Sequence, residues 1–151
     1  MDLARDEART AAKTPWHLWA VSLISALWNC GGVFDFTMTN SRNADYLAGF
    51  SPEMMTWVDA FPLWSILAWG AGVFGALAGS LLLLARSRWA VLSFAVSLAG
   101  LMLVTIYQFA LSDRPASLTS GGEWLFSAAL HIVAILLLYY ALRMRTKGVL
   151  R

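Results

Sequence analysis

The sequence predicts an all-α membrane protein, an antiparallel bundle of four transmembrane helices with short interfacial helices in the first outer loop. Four long apolar segments cover residues 16–38, 63–85, 89–111 and 124–142. Each is near the ~20 residues that a helix needs to cross a bilayer. If both chain ends and the second loop share one side, that side carries nine lysines and arginines, and the other side carries only Arg42 and Arg114. By the positive-inside rule, both termini are predicted to be cytoplasmic.

The composition sets the domain organisation. Of the 151 residues, 59% are hydrophobic and 13% are charged, so the spans use nearly all of the chain and leave no room for a soluble catalytic domain. We expect a cytoplasmic N-terminal segment over 1–15, a transmembrane domain over 16–142 and a basic cytoplasmic tail over 143–151. The basic residues lie at helix ends, which favours the lipid bilayer as partner and argues against nucleic acid.

Local signals place several element boundaries. Thr14 and Pro15 have the pattern of an N-cap and first-turn proline that open the first span, after a short surface helix near the N-terminus. Within the outer loop, Ser51, Pro52 and Glu53 predict the start of a helix that rests on the membrane interface. The single cysteine, Cys30, excludes an intramolecular disulfide.

Small residues recur at intervals of three or four in the second span. Small side chains at this spacing let helix backbones approach closely in lipid. They predict packing against the first or third span of the same chain, with a homodimer seam as the alternative. The residues assigned to this packing are Gly72, Gly75 and Gly79.

Asp35 is the only carboxylate placed inside a predicted span. An ionisable group in hydrocarbon is costly and therefore a functional candidate, although Asp35 lies only about 6 Å from the outer end of its helix at ~1.5 Å per residue. Helical spacing puts Trp28 and Thr39 on the same face. Asn29 lies nearer the middle and on another face, where it could act as an interhelical hydrogen-bond partner.

Polar and aromatic residues of the other three spans lie at a depth that overlaps with Asp35. We therefore predict a cavity in the outer half of the bundle that binds a ligand. The alternative is that these groups only hydrogen-bond one another to hold the bundle together. The predicted cavity residues are Trp28, Asn29, Asp35, Trp64, Trp69, Tyr107, Gln108 and His131.

The sequence lacks the common catalytic and cofactor signatures. It has no CxxC, HExxH, GxSxG or phosphate-cradling loop, so we predict neither an enzyme nor a cofactor or metal site. His17 and His131 differ in depth by roughly 15 to 20 Å at 1.5 Å per residue. One chain cannot ligate a haem with both, which leaves only a single-histidine or intermolecular haem site.

Several motifs resemble those of a family of small bacterial inner-membrane proteins. They are a Trp-Asn, a Gly, an Asp followed by an aromatic residue and a Thr within 27–39, then Arg42-Asn43, Tyr46-Leu47, Phe61-Pro62 and Tyr107-Gln108. Members of this family are four-helix proteins of unestablished function, often labelled as sugar transporters. The resemblance spans most of the chain. It implies location in the bacterial inner membrane and functional importance for Trp28, Asn29, Asp35 and Tyr107.

Two functions follow as expectations. The first is a structural or accessory subunit that packs with other membrane proteins. The second is a protein that binds or transports a small solute such as a sugar, whose apolar faces stack on aromatic rings and whose hydroxyls need hydrogen bonds. Because the charge bias opposes mixed insertion, a transporter of this type should be a parallel oligomer.

Overall fold

The computed structural model describes residues 14–119 and 121–151, and within them every regular element is helical. The predicted short helix near the N-terminus lies outside the described residues. A π-helical turn covers Tyr107–Leu111, and a 3₁₀ turn covers Ala116–Leu118. The α-helices are α1 (Trp16–Asn40), α2 (Ala44–Leu47), α3 (Pro52–Asp59), α4 (Leu63–Leu84), α5 (Trp89–Ile106) and α6 (Gly121–Thr146).

Within the described residues, four helices are long and apolar enough to cross a membrane. They are α1, α4, α6, and α5 together with the π-helical turn that continues it. Large apolar side chains cover their outer surfaces: Trp16, Leu27 and Leu125 are 79%, 76% and 74% exposed. Apolar surface of this extent suits contact with lipid rather than water. The predicted all-helical, small polytopic membrane protein is confirmed at this level.

Most helix boundaries follow from local chemistry. The Ser51 side chain accepts a hydrogen bond from the Met54 N–H (3.1 Å), with Pro52 in the first turn, so the helix that this pattern predicts is present as α3. At α1, Pro15 rather than Thr14 occupies the N-cap position. The fourth span is longer than predicted, because α6 covers Gly121–Thr146 and includes the first residues of the expected basic tail.

The helix α4 lies at the centre of the packing. It contacts α5 most extensively and α1 next, while α6 packs on α5. A Cβ atom added to Gly75 would lie 3.1 Å from the Ser97 nitrogen, and one added to Gly100 would lie 2.5 Å from the Ala68 carbonyl oxygen. Glycine is therefore needed for the close approach of α4 and α5. The three predicted packing residues, Gly72, Gly75 and Gly79, all face α5 of the same chain.

The end of the bundle where α1 begins and α6 ends, here called the terminal end, holds the apolar core. A hydrogen bond of 2.5 Å between His17 Nδ1 and the Tyr140 hydroxyl links α1 to α6 there. The opposite end, where α2, α3 and the loop before α6 lie, is called the loop end. The buried core residues are Leu18, Leu83, Ala90, Phe94, Leu137, Ala141, Met144, Val149 and Leu150.

Residues 147–151, within the expected basic tail, fold back on the turn between α4 and α5. The Arg151 N–H donates to the Arg86 carbonyl, and the Arg88 N–H donates to the Arg151 carbonyl, each at 2.8 Å. Val149 and Leu150 are buried beneath this pairing. The end of the chain thus completes the core at the terminal end.

Candidate ligand-binding cavity

A partly open cavity of about 800 Å³ lies between the four long helices, from the core toward the loop end. Pockets for small ligands typically have volumes of about 300 to 1,000 Å³, so this one is large enough for a drug-sized molecule. All four long helices contribute to its wall, and α3 covers it at the loop end. Lining residues include Trp28, Asn29, Gly31, Asp35, Thr39, Phe50, Met54, Trp57, Trp69, Ala76, Phe94, Ser97, Leu101, Gln108, Phe109, Arg114, Glu123, Ser127, Val133, Ala134 and Leu137.

The polar groups in the deep part of the cavity already have partners. The Asn29 side-chain amide donates to the Ala76 carbonyl (3.2 Å) and to the Ser80 hydroxyl (3.0 Å). The Ser97 hydroxyl donates to the Gly72 carbonyl at 2.6 Å. These bonds join α4 to α1 and to α5, so the side chains hold helices together while the space between them stays apolar.

Asp35 lies in the wall near the loop end and is bound to α2. The Tyr46 hydroxyl donates to Asp35 Oδ1 at 2.5 Å. This hydrogen bond, followed by burial and by the charge of Asp35, raises the pKa of Tyr46 to about 12, because ionised tyrosine would lose the bond and meet a like charge. The ring of Tyr46 also packs on Phe34 of α1, so one polar and one aromatic contact fasten α2 to α1. A second aromatic contact joins Tyr46 to Phe50 in the segment before α3.

The helix α3 closes the cavity at the loop end. Its Trp57 lines the cavity and donates from Nε1 to the Ser112 hydroxyl at 3.0 Å. The same ring meets Phe61 edge to face, with centroids 4.9 Å apart. A hydrogen bond to the segment after α5 and an aromatic contact to the start of α4 therefore hold α3 as a cover.

Arg114 is the most unusual residue in the wall. Its side chain is only 11% exposed, and Nη2 donates to Glu123 Oε2 at 3.0 Å. The guanidinium carbon lies 4.3 Å from the Phe109 ring centroid and 5.4 Å from that of Trp57. Nε and Nη1 are buried without a hydrogen-bond partner among the described residues. A buried donor left unpaired costs about 1 to 3 kcal/mol, and more for a charged group.

The cavity brings together five of the eight residues predicted for it: Trp28, Asn29, Asp35, Trp69 and Gln108. Trp28, Asp35 and Thr39 line the cavity from α1. Asn29, which helical spacing puts on another face, lines the cavity as well and reaches the Ala76 carbonyl of α4. Gln108 reaches the wall from the π-helical turn, a distortion that is frequent at functional sites and that also brings Phe109 to the cavity.

The other three predicted residues do not line the cavity. Tyr107 is buried and donates to the Ala60 carbonyl at 3.1 Å, and Trp64 packs edge to face on the Tyr107 ring. His131 Nδ1 lies 2.8 Å from the Ser127 carbonyl of its own helix. Tyr107 and Trp64 therefore support the start of α4 instead.

The sequence reading missed Arg114 and Glu123 as wall residues. In the sequence-based prediction, Arg114 counted only as one of the two basic residues on the outer side. The stretch between α5 and α6 is irregular, so it has no periodic pattern from which a position could be predicted. The one available signal was the spacing between an arginine and the acidic first turn of the following helix, where carboxylates are favoured.

The described residues contain no group of three or more histidine, cysteine, aspartate or glutamate side chains that could hold a metal ion. His17 is hydrogen-bonded to the Tyr140 hydroxyl, and His131 is hydrogen-bonded to the Ser127 carbonyl of its own helix. Comparison of the chain with protein-family models, curated proteins and solved structures finds no match in any of the three. The function must therefore be argued from the geometry itself.

Proposed function

We propose that the protein binds a small amphipathic solute inside its own helix bundle, within the bacterial inner membrane. The observation that carries this proposal is the cavity of about 800 Å³ to which every long helix contributes. A void of this size forfeits dispersion contacts among its lining side chains, and a bound molecule would restore them. The cavity supports solute binding over the purely structural role that the sequence also suggested.

The proposed arrangement is an antiparallel bundle with both termini cytoplasmic. Gly72 packs near Gly100 whereas Gly79 packs near Phe94, so the contacts of α4 and α5 run in opposite directions. The terminal end carries Arg86, Arg88, Arg143, Arg145, Lys147 and Arg151, whereas the loop end carries Arg42 and Arg114. This bias supports a cytoplasmic terminal end and an outward loop end, with α2 and α3 at the outer interface.

Binding rather than catalysis is proposed, because both carboxylates of the wall and the amide of Asn29 are engaged in structural bonds. Asp35 accepts from Tyr46, Asn29 spans two helices, and Glu123 holds Arg114. The resemblance to proteins labelled as sugar transporters agrees with a solute site. Transport across the membrane would in addition require a parallel oligomer, since four helices are few for a pathway.

An accessory role is the second candidate. The backbones of α1 and α6 do not pack closely against each other, and both helices present exposed apolar side chains, among them Ile24 (68%) and Leu136 (58%). A helix of another membrane protein could cover these surfaces. Lipid would cover them equally well, so this surface carries less weight than the cavity.

The proposal is tested by filling the cavity. A Cβ atom added to Gly31 meets nothing within 4 Å, so Gly31→Phe should occupy the space without displacing a helix. The adjacent Cys30 is exposed and lies outside the cavity wall, which makes Cys30→Phe the matched control. Native mass spectrometry of protein extracted gently from its membrane records small molecules and partner chains together.

We expect a small molecule bound to the wild type and to Cys30→Phe, with occupancy at least about tenfold lower in Gly31→Phe. An affinity loss of that size corresponds to about 1.4 kcal/mol. Equal occupancy in all three proteins would place the ligand elsewhere and overturn the proposal. A stable complex with larger membrane subunits and no small ligand would support the accessory role instead.

A further inference from the structure

The cavity is polar at one end and apolar at the other. On α6, the lining residues run from Glu123 near the loop end to Leu137 in the core, a distance of about 21 Å at 1.5 Å per residue. This length exceeds half of the ~30 Å hydrocarbon core of a bilayer. The deep end is bounded by Phe94, Val133 and Leu137, whereas Asp35, Gln108 and Arg114 lie near the loop end.

The deep part favours a hydrocarbon chain. Its polar side chains, Asn29 and Ser97, already donate to backbone carbonyls of α4. A polar ligand group placed there would lose its water without gaining partners, which is costly. An apolar chain would lose nothing on moving there from the surrounding lipid and would fill the void.

The loop end offers hydrogen-bond donors for an oxyanion. Glu123 occupies only Nη2 of Arg114, whereas Nε and Nη1 are buried without a partner among the described residues. A guanidinium presents its donors as a planar fork that matches phosphate and carboxylate oxygens. Because the guanidinium lies against the Phe109 and Trp57 rings, the side chain has to move off the Phe109 ring before these covered donors can reach a ligand oxygen.

The same end of the cavity carries an acidic group among aromatic rings. Asp35 lines the wall together with Phe50 and Trp57, and Tyr46 binds its Oδ1 atom. A head that is only anionic would meet two carboxylates, Asp35 and Glu123, and like charges in an interface are unfavourable. An ammonium group would complement Asp35, and aromatic faces attract cations.

We propose, building on the solute-binding function above, that the occupant is a single-chain zwitterionic amphiphile of the lysophospholipid class. Its acyl chain lies in the deep part of the cavity. Its phosphate binds Arg114, and its ammonium group faces Asp35 beneath α3. The separation between α1 and α6 gives such a molecule a lateral path from the bilayer into the cavity.

The experiment is a competition between three lipids with the same single acyl chain, measured by native mass spectrometry of the full-length protein. Lysophosphatidylethanolamine has a zwitterionic head, lysophosphatidylglycerol an anionic head and monoacylglycerol a neutral head. We expect the zwitterionic lipid to bind best and the neutral lipid worst. The affinity should fall about tenfold from each lipid to the next in this order. A tenfold change matches the lower limit of what a hydrogen bond to a charged group contributes.

Three variants assign the two charges. Arg114→Gln should reduce both phosphate lipids to the affinity of monoacylglycerol, and Arg114→Lys, which keeps the charge but not the fork, should fall between. Asp35→Asn should remove only the preference for the zwitterionic over the anionic lipid. Arg42→Gln is the control, because Arg42 is the other arginine at the loop end and is half exposed in its ion pair with Asp59.

The outcomes separate this inference from the proposed function. If all three lipids bind equally, Gly31→Phe blocks them all and Arg114→Gln changes nothing, then solute binding stands and the head-group assignment is overturned. A preference for the anionic lipid that Asp35→Asn does not alter would overturn the zwitterionic assignment. If no amphiphile binds and Gly31→Phe has no effect, the cavity itself is not a lipid site.

Discussion

At the terminal end the long helices pack around an apolar core completed by Val149 and Leu150. Toward the loop end, α4 and α5 stay in close contact, but a cavity of about 800 Å³ lies between the four long helices. The two ends also differ in how their polar groups are used. At the terminal end, backbone bonds from Arg151 and the bond between His17 and Tyr140 hold the helices together. At the loop end, side chains such as Asp35 and Arg114 face a void.

This difference separates stability from binding. Hydrophobic burial does not drive helices together within lipid, so packing must do so, and the close contacts lie between α4 and α5 and in the terminal core. Side chains of the cavity wall border empty space and have fewer packing contacts to lose, so they should contribute less to stability and can serve a ligand. Substitutions at the two ends should therefore have different effects.

The largest effect is expected at the contact between α4 and α5. A Cβ atom on Gly100 would lie 2.5 Å from the Ala68 oxygen and 2.7 Å from the Gly72 nitrogen, so Gly100→Ala must push the two backbones apart. We expect a loss of about 3 kcal/mol in the free energy of unfolding, measured by denaturant titration in detergent.

The control for that substitution is Gly31→Ala, in the middle of α1, where an added Cβ atom meets nothing within 4 Å. It should leave stability unchanged or raise it by up to about 1 kcal/mol, since alanine favours helices more than glycine does. Equal unfolding curves for the two alanine variants would show that the close approach of α4 and α5 contributes nothing.

A pair of leucines compares the core with the cavity wall. Leu83 is fully buried in the terminal core, whereas Leu101 borders the cavity. Leu83→Ala should cost about 2 to 3 kcal/mol because it leaves a new void in a packed region. Leu101→Ala enlarges an existing void and should cost less than about 1 kcal/mol.

Thermal unfolding of the two leucine variants, in the same detergent and without added lipid, provides the measurement. A larger loss for Leu101→Ala would mean that the cavity wall, rather than the terminal core, holds the bundle. Addition of the bound amphiphile should then raise the stability of the wild type more than that of Leu101→Ala, because the shortened side chain contacts the ligand less.

The smallest effect concerns pH. The pKa of Tyr46 is raised to about 12, so its folded-state pKa exceeds the ordinary value of about 10. The bond to Asp35 therefore stabilises α2 fully below pH 10, and this contribution is lost as the pH rises from 10 to 12. The difference in tyrosinate absorbance between wild type and Tyr46→Phe should show this late titration.

The Tyr46 titration also has an internal control. Asp35→Asn removes the charge that Tyr46 faces, so the tyrosine should then titrate closer to its ordinary value. If Tyr46 titrates at the same pH with and without the Asp35 charge, the link between α1 and α2 is absent in solution.

Apolar length and local capping were sufficient to predict the helices. The four spans follow from their length and hydropathy, and α3 from the pattern of Ser51 and Pro52. On α1, helical spacing placed Trp28, Asp35 and Thr39 on one face, and all three line the cavity. Asn29, which the same spacing placed on another face, lines it as well. Residue spacing thus groups the residues of one face but does not show how wide the cavity-lining face is.

Positions between helices were harder to predict. The position of Tyr107, Trp64 and His131 along their spans predicted how deep each residue lies in the membrane. It did not predict the direction in which each side chain points. In lipid, the outer surface and the interior of a bundle have similar composition, so an apolar helix carries little signal for its rotation. Arg114 was missed for a different reason, because its position depends on an irregular segment that brings it back over Phe109 and Glu123.

The fold-back of residues 147–151 has a consequence for biosynthesis. The ribosome produces these residues after all four long helices, yet they supply the backbone partners of Arg86 and Arg88 and two side chains of the core. Domains fold largely in the order of synthesis, so the turn between α4 and α5 waits, with unpaired backbone groups, until residues 147–151 have been synthesised. A bulky domain fused directly after Arg151 should crowd this fold-back and lower the yield of folded protein, whereas a long flexible linker should restore it.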